Sequence, residues 1–556
     1  MKLRAIDAMR AWQPARTKHL PIADHARVLS AARIARHDGL TALYLAGTPY
    51  EMGYQHGVLA RDLIHGFRQA AYDYVNSQLP VPRWLARPLL FFHSAAYWPT
   101  IPAGLTQEMR GIADGAGVHP IEVLVSTAIW EMFLVSGCSE FAAVGPVTAD
   151  GTLLHGYNYD LMRPEHALIQ PYLAAICYRP STGLQSQGLP FFTVNTVGSV
   201  GANAGMNAAG ISVAWDNTNL RDDELTRGIG LPMVPFIITL RRLLQGAQTL
   251  DEAIRTVAGS LPRSLGDIIV IGSAHERRAV ALETAGRLHA VREMQDGVVW
   301  STNCFRSPEL APHDRRGDGR GLVEDAAWQH FPRYTAYSHL FEAHRGQLTP
   351  AIAADFLRDP YPREAAGFVH PHPAARATIC RDITSWSLVM EPGKGRFWVS
   401  DTEVPGCQGR FFAFDLAQWQ RLPELDLAPS GYQAALRAAQ RFIGGDLAGA
   451  HAALEEASVH DGPSAPLLLL RAVVHGLAGE DSRAAEVLVQ LQARWPQSAA
   501  GALARNWLDG PPVEGTARIP FPSAIRPLIH LQPGANWQDR ASVEAPPAAA
   551  GASPSP

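Results

Sequence analysis

Residues 136–160 constrain the fold more than any other part of this sequence. They begin with the pair Gly137-Cys138 at the end of an apolar run, and they end with the strand-like segment 153–159 and Asp160. Asp150-Gly151 between them is a turn signal, and a strand, a turn and a second strand in succession form an antiparallel hairpin. We therefore expect the Asp160 carboxylate to return beside the Cys138 thiol.

Composition predicts a globular protein of two or three domains. The chain has 556 residues, of which 47% are hydrophobic and 18% are charged, so there is ample apolar material for more than one core. The net charge of −4 argues against a nucleic-acid partner. No segment reaches the length of about 18 apolar residues that a membrane span requires, so we expect no membrane span.

The five cysteines (138, 177, 304, 380 and 407) are widely spaced and odd in number, which favours reduced thiols over a disulfide framework. Residues 1–20 carry basic side chains without the apolar region of a secretory signal. Together these features predict a cytoplasmic protein.

The sequence pattern changes along the chain and predicts regions of different secondary structure. Residues 41–135 appear mainly helical in pattern, with one helix expected over Glu51–Ala71, in which small glycines allow close packing. Residues 138–416 alternate short β-branched runs with helices, which predicts an α+β domain with a largely antiparallel sheet. The predicted domains are 1–137 (mostly helical), 138–428 (catalytic), 429–510 (helical) and 511–556 (an extended, disordered tail).

The helical region near the C-terminus contains an internal repeat. Gly445-Asp446-Leu447-Ala448 returns as Gly479-Glu480-Asp481-Ser482, an offset of 34 residues that is typical of tetratricopeptide repeats. We expect a short tetratricopeptide-like extension that offers a surface for a protein partner or for self-association.

A cysteine after a glycine suits a protein that cuts itself between the two. Cleavage at Gly137-Cys138 would leave Cys138 with a free α-amine, whose pKa near 8 is close to that of a thiol at about 8.5. One residue would then supply both the nucleophile and its base. Gly137 is small enough to let the thiol reach the preceding carbonyl. The alternative is an inert, buried core cysteine.

Two asparagines stand at the exits of predicted strands. Asn217 follows the run 211–216, and Asn303 follows the run 298–302. Amide side chains fixed at strand ends can donate hydrogen bonds to an oxyanion, although each could simply close a turn. His370-Pro371-His372 is flanked by prolines and has no carboxylate at ligand spacing, so we expect a surface loop there and no metal site.

These motifs occur in the order found in a known family. The chain resembles the Ntn hydrolases that include the acyl-coenzyme A:6-aminopenicillanic-acid acyltransferases (peptidase family C45), with penicillin V acylases and bile-salt hydrolases as more distant relatives. The resemblance covers residues 40–416 and leaves the C-terminal helices outside. It rests on the segments 47–57, 137–141, 155–160, 205–217 and 302–303.

The resemblance implies a four-layer αββα sandwich and a role for each matching residue. Cys138 is the nucleophile freed by cleavage, and Asp160 orients it. Asn217 and Asn303 supply amides to the oxyanion, and Arg333 braces the nucleophile, unless it is a solvated surface arginine. Residues beside these positions are candidates for the substrate pocket: Tyr157, Asn158, Trp215 and Cys304.

Tyr157 departs from the family pattern, because bile-salt hydrolases and many relatives carry arginine there. A tyrosine can donate a hydrogen bond but brings no positive charge to a thiolate. Their preference for anionic substrates therefore does not transfer to this chain.

The predicted function is a self-processing amidohydrolase or acyltransferase that acts on a small N-acyl amide through an S-acyl-enzyme. It needs no cofactor, and an acyl-coenzyme A thioester is a candidate acyl donor. Self-cleavage would leave an α and a β subunit. One alternative is a phospholipase-B-like or dipeptidase-type hydrolase on the same fold. Another is a non-catalytic binding protein that uses its C-terminal helices.

Overall fold

In the computed structural model of the protein, the following residues are described: 24–78, 82–129, 136–161, 168–181, 188–218, 220, 225, 233–314, 330–359, 378–381, 383–400, 405–431, 434, 437–438, 441, 445–461, 465–494, 504–505 and 508.

The helices are α1 (His25–Ser30), α2 (Pro49–Leu59), α3 (Arg61–Gln78), α4 (Arg83–Ala95), α5 (Ala103–Ala116), α6 (Pro120–Ala128), α7 (Phe236–Gly246), α8 (Leu250–Ala258), α9 (His330–Ala343), α10 (Pro350–Leu357), α11 (Leu447–Asp461), α12 (Ala465–Leu477) and α13 (Asp481–Arg494). The strands are β1 (Arg33–His37), β2 (Leu40–Gly47), β3 (Ser136–Ala143), β4 (Leu154–Leu161), β5 (Leu173–Pro180), β6 (Phe191–Thr196), β7 (Ala204–Asn207), β8 (Ile211–Thr218), β9 (Arg263–Ser273), β10 (Arg278–Gly286), β11 (Leu288–Glu293), β12 (Val298–Ser301), β13 (Thr384–Glu391), β14 (Arg396–Ser400), β15 (Phe411–Asp415) and β16 (Gln420–Arg421).

The strands form two sheets. The larger has the order β1-β2-β5-β6-β7-β8-β9-β10-β11, and the smaller has the order β12-β3-β4-β13-β14-β15-β16. The pair β2 and β5 is parallel, whereas the neighbours of β3 in the smaller sheet are antiparallel. A largely antiparallel arrangement follows from the short connections between successive strands.

The two sheets stack face to face with helices outside them. Phe192 of β6 stacks on Phe397 of β14 with ring centroids 3.5 Å apart, which joins the inner faces. On the outer face of the smaller sheet, Phe141 of β3 packs against Tyr337 of α9. Helix α7 packs on β7 and β8 of the larger sheet. The expected mixed α and β class is confirmed, with a core between two sheets.

Helix α2 begins at Pro49, two residues before the predicted start at Glu51, because the residues around Thr48 cap it. Thr48 and Glu51 form a reciprocal capping box, and Pro49 occupies the first turn. A Cβ atom at Gly53 would lie 2.0 Å from the Glu108 carbonyl oxygen, and one at Gly57 would lie 2.3 Å from that of Ile112. These glycines therefore let α2 and α5 cross closely, as expected.

One prediction for the N-terminal region is wrong, and a second, the mainly helical character of residues 41–135, is confirmed except for one strand. The single helix expected over Glu51–Ala71 is two helices, because the chain breaks at Ala60 between α2 and α3. The expected mainly helical character of residues 41–135 misses β2, which lies inside the larger sheet between β1 and β5. Its burial on both faces removes the polar alternation that marks a half-exposed strand.

The chain divides into two compact units, one with residues 1–433 and 459–461 and the other with residues 434–458 and 462–556. In the second unit, Gly445 and Gly479 both have positive φ, and α11 and α13 each begin two residues later. The 34-residue offset is thus repeated in the backbone, while the tetratricopeptide class and the domain boundaries remain predictions. The tail after residue 511, the pair His370 and His372, and residues 1–20 lie outside the described residues.

Candidate active site around Cys138

Cys138 lies in the middle of the smaller sheet. Its strand β3 runs between β12 and β4, and the thiol side chain is 1% exposed. The register pairs Gly137 with Asp160 and Cys138 with Tyr159. The connection between the two strands contains Gly151, which has φ of +77°, and the register places Asp160 beside the Gly137-Cys138 peptide.

Side chains of two other segments hold the backbone of Cys138. Its amide nitrogen donates to Oδ1 of Asn303 at 2.7 Å. Its carbonyl oxygen accepts from Nη1 of Arg333 at 2.6 Å. Arg333 also donates from Nη2 to Oδ1 of Asn303 at 2.9 Å, which closes the group. Arg333 is fully buried, so a solvated surface arginine is ruled out.

The Asp160 carboxylate lies between a hydroxyl and two guanidinium groups. Oδ1 accepts from Oγ1 of Thr384 at 2.7 Å. Oδ2 lies 3.1 Å from Nη1 of Arg381 and 3.9 Å from Nη1 of Arg333. Burial raises the pKa of Asp160, and the two arginines oppose that shift. Burial also lowers the pKa of Arg333 to about 10.

Arg381 reaches the predicted cleavage point. A Cβ atom on residue 137 would lie 2.2 Å from Nη1 of Arg381, so glycine leaves the room that this guanidinium occupies. Since the same nitrogen pairs with Asp160, a side chain at position 137 would displace the ion pair. The structure therefore requires glycine at position 137 to leave room for Arg381.

Asn303 is fixed by the strand before it and by a buried carboxyl. Asp216 Oδ2 accepts from the Asn303 amide nitrogen at 3.0 Å and from Oγ of Ser301 at 2.8 Å. Asn303 has φ of +66°, a left-handed conformation that asparagine tolerates better than most residues. Its Nδ2 donates to the Asn217 carbonyl at 2.8 Å. The side-chain amide is thereby oriented with Oδ1 toward Cys138.

The thiol faces aromatic side chains on the inner side of the sheet. The Tyr157 hydroxyl lies 3.5 Å from Sγ of Cys138 and donates to the Trp215 carbonyl at 2.7 Å. Trp386 packs against both Tyr157 and Tyr159 with ring centroids 5.3 Å apart. Burial, aided by the charge of Asp160, raises the pKa of the Cys138 thiol. Burial therefore favours the protonated form of the thiol.

Three of the predicted pocket residues have other contacts in the structure. Asn158 Nδ2 donates to the carbonyls of Leu357 and Ile379, which ties β4 to the end of α10. The Trp215 indole donates to Asp267 at 3.0 Å. Cys304 is buried, and its Sγ lies 3.9 Å from Oγ1 of Thr302. Each of the three adjoins or contacts a residue that lies against Cys138, and a role in binding substrate remains a prediction.

Asn217 meets the Cys138 group through its backbone, because its carbonyl is the acceptor for Asn303 Nδ2. Side chains alternate along a strand, so Asn217 projects from β8 on the face opposite to Asp216. Asp216, its neighbour in sequence, is the residue that contacts Asn303 by its side chain. The oxyanion role expected for Asn217 remains a prediction.

Sequence reasoning missed Arg381, Thr384 and Asp216. Arg381 and Thr384 lie 221 and 224 residues from their partner Asp160, so local spacing carries no signal for them. Asp216 lies in β8 next to the predicted site residue Asn217, which the structure places inside the strand and not at its exit, and this neighbourhood could have identified Asp216.

Among the described residues, no group of three or more histidine, cysteine or acidic side chains could hold a metal ion. In the same part of the chain, no helix is long and apolar enough to cross a membrane.

A family model described as acyl-coenzyme A:6-aminopenicillanic acid acyl-transferase matches residues 147–364. The resemblance carried by the motifs is thereby confirmed over this segment. It contains Asp160, Asn217, Asn303 and Arg333, and Cys138 precedes it.

Curated relatives match about half of the chain. An uncharacterized protein of Archaeoglobus fulgidus is 27% identical over 306 residues, which cover 49% of this chain and 47% of that protein. Protein dcd1B of Dictyostelium discoideum is 23% identical over 280 residues, which cover 46% of this chain and 52% of that protein. The chain thus spans about half the length of the curated relatives it matches.

Solved structures of Ntn hydrolases are similar to parts of the chain. An N-acylethanolamine-hydrolyzing acid amidase ortholog of Caenorhabditis elegans is 17% identical, covers 46% of this chain and 93% of its own, and has a TM-score of 0.31. A mutant of the conjugated bile acid hydrolase of Clostridium perfringens is 14% identical, covers 51% of this chain and 93% of its own, and has a TM-score of 0.32.

Proposed function

We propose that the chain is an N-terminal-cysteine amidohydrolase or acyltransferase that cuts itself between Gly137 and Cys138. The two stacked sheets with helices outside them then form the four-layer αββα sandwich of Ntn hydrolases. The observation that carries the proposal is the hydrogen bond of 2.7 Å from the Cys138 amide nitrogen to Asn303. Cleavage converts that nitrogen into the α-amine, and Oδ1 of Asn303 is already in place to accept a hydrogen bond from it.

Self-cleavage begins with attack of Cys138 Sγ on the Gly137 carbonyl carbon. The C–N bond breaks, the proton lost by the thiol passes to the nitrogen, which becomes the α-amine, and the N-terminal segment is held as a thioester. Water then hydrolyses the thioester and regenerates the thiol. Before the attack on Gly137, burial keeps the thiol protonated. Afterwards the new amine, with an ordinary pKa near 8, serves as its base.

The mature site then acts on an N-acyl amide. The thiol loses its proton to the α-amine and attacks the acyl carbonyl, and the amine returns the proton to the leaving nitrogen. An S-acyl-enzyme remains, which water hydrolyses or an acceptor amine captures. On the other side of Cys138, Arg381 and Arg333 stabilise the negative charge of Asp160. Asn303 holds the α-amine in position through its hydrogen bond.

The aromatic surroundings of the thiol favour an uncharged acyl group. Tyr157, Tyr159 and Trp386 lie on the same side of the sheet as Sγ, and Tyr157 stands where many relatives have arginine. An apolar acyl chain gains from contact with such rings, whereas a carboxylate there would lose its hydration without a cation to replace it.

Intact mass of the purified chain tests the proposal. We expect two fragments that meet at Gly137 and Cys138 for the wild type, and one uncut chain for Cys138→Ala. Cys177→Ala, which changes another buried cysteine, is the control and should still be cut. A wild-type chain that stays whole after long incubation would contradict the proposal.

A substrate panel then separates the possible reactions. The mature protein should release acid and amine from N-acyl amides, and an added amine acceptor should divert part of the acyl group if transfer competes with hydrolysis. Exclusive turnover of phospholipids or of dipeptides would assign the chain to another hydrolase class on this fold.

A further inference from the structure

Two cysteines away from the nucleophile lie in contact. The sulfur atoms of Cys380 and Cys407 are 3.0 Å apart, and both residues are fully buried. Gln408 Nε2 donates to Cys380 Sγ at 3.1 Å. The wide spacing of the cysteines in sequence predicts reduced thiols, but the fold brings these two together.

Both cysteines are held on anchored backbone at the end of α10. The Cys380 amide donates to the Asp359 carbonyl at 2.9 Å, and Arg358 Nε donates to the Cys407 carbonyl at 3.0 Å. The Arg358 carbonyl accepts from Gln408 Nε2 at 2.7 Å. The contact between the sulfurs is thus fixed by the main chain on either side and not by two mobile side chains.

We propose that Cys380 and Cys407 are a site of disulfide formation that locks the segment carrying Arg381. A disulfide has a sulfur–sulfur distance of about 2.05 Å, so the sulfurs need to approach each other by about 1 Å. With hydrogen peroxide as the oxidant, the two thiols lose their hydrogens and two electrons. One sulfur–sulfur bond forms, the oxygen–oxygen bond breaks, and two water molecules are released.

The cross-link acts on the candidate active site through one peptide bond. Cys380 precedes Arg381, whose Nη1 pairs with Asp160 at 3.1 Å and fills the space over Gly137. The disulfide would close a loop that contains β13 and β14 and would reduce the freedom of the unfolded chain. It therefore holds Arg381 in its present position and stabilises the folded protein.

The reaction is expected to be slow. Burial raises the pKa of the Cys407 thiol, and a thiol reacts with oxidants through its thiolate. The disulfide is therefore a stabilising link that forms over a long exposure, in contrast to the fast response of an exposed cysteine.

Peptide mapping of the full-length protein tests the proposal. The protein is incubated with hydrogen peroxide, unfolded, alkylated and digested without reductant. We expect a linked peptide pair that contains Cys380 and Cys407, an intact mass lower by about 2 Da than that of the reduced protein, and recovery with dithiothreitol. A melting temperature higher by on the order of 5 °C should accompany the link.

Matched variants make the test specific. Cys380→Ser and Cys407→Ser should each lose the linked pair, whereas Cys177→Ser, a buried cysteine of β5, should keep it. The pair should also form in Cys138→Ala, because its chemistry does not depend on cleavage. Two alkylated thiols or separate sulfinic acids at 380 and 407 in the oxidised wild type would overturn the proposal, as would a lower melting temperature.

Discussion

The amide nitrogen of Cys138 donates a hydrogen bond of 2.7 Å to Oδ1 of Asn303. That oxygen also accepts from Arg333, which in turn donates to the Cys138 carbonyl. The hydrogen bond from Arg333 is charge-assisted, so it holds the Asn303 oxygen firmly in this orientation. Cys138, the proposed nucleophile, is therefore held through its backbone amide and its backbone carbonyl.

Removal of the Asn303 side-chain amide should slow self-cleavage. Asn303→Ala leaves the buried Cys138 N–H without its acceptor, which costs about 1–3 kcal/mol. If that loss falls on the reactive geometry, the rate drops by about 10–100-fold. The rate at which fragments appear by intact mass measures it. Asn207→Ala, at a buried asparagine of β7 that contacts α7, controls for loss of stability; an equal slowing there would contradict the assignment.

Arg381 should influence catalysis through Asp160. Arg381→Met removes the guanidinium 3.1 Å from Asp160. Because less positive charge then opposes the effect of burial, the pKa of the Asp160 carboxyl should rise further. The acidic limb of the pH–activity profile should move to higher pH, with kcat reduced by at least about tenfold. Arg345→Met, at an exposed arginine, should leave the profile unchanged. A loss of activity without a shift of that limb would mean that Arg381 serves stability alone.

The Tyr157 hydroxyl should contribute to stability as well as to the thiol environment. Tyr157→Phe keeps the ring against Trp386 but leaves the buried Trp215 carbonyl without its donor. The free energy of unfolding should fall by about 1–3 kcal/mol, measured by denaturant titration. Tyr334→Phe, at a half-buried tyrosine that packs on Trp300, should change it by less than about 0.5 kcal/mol. Equal effects of the two variants would contradict this role.

The sequence predicts the parts of this site that depend on local structure. The antiparallel pairing that brings Asp160 beside Gly137 was predicted from two neighbouring strand-like segments with a turn signal at Asp150-Gly151, and the register agrees. The motif resemblance identified Asn303 and Arg333, which the structure brings to Cys138. Arg381 could not be identified, because its pairing with Asp160 across 221 residues arises only when β13 and β4 align.

The same distinction explains the misses in the fold. Strand β2 pairs in parallel with β5, and such a pair requires a long crossover that no local pattern encodes. The break at Ala60 between α2 and α3 lies within a continuous helical pattern, and no glycine or proline stop signal marks it. The contact between Cys380 and Cys407 depends likewise on a distant arrangement, in which the turn at 406–408 packs on β13.

The buried carboxyl of Asp216 should make stability depend on pH. Burial raises the pKa of Asp216 to about 7. Glu140 lies near it, and burial together with the charge of Asp216 raises the pKa of Glu140 well above its usual range. The negative charge of Glu283 also raises the pKa of Asp216, whereas the positive charge of Arg333 lowers it. Because the folded state binds the Asp216 proton more tightly than the unfolded state does, the stabilisation is complete below about pH 4 and is lost as the pH rises through 7.

Asp216→Asn should remove this dependence. Titration of Asp216 should by itself lower the free energy of unfolding of the wild type by up to about 1.4 kcal/mol per pH unit between about pH 4 and pH 7. In the variant, an amide that cannot ionise should flatten that slope, because its oxygen can still accept from Ser301 and Asn303. Denaturant unfolding at several pH values measures the slope, with Asp62→Asn at an exposed site of α3 as the control. An unchanged slope in Asp216→Asn would show that another group releases the proton, and Glu140→Gln would then be the variant that flattens it.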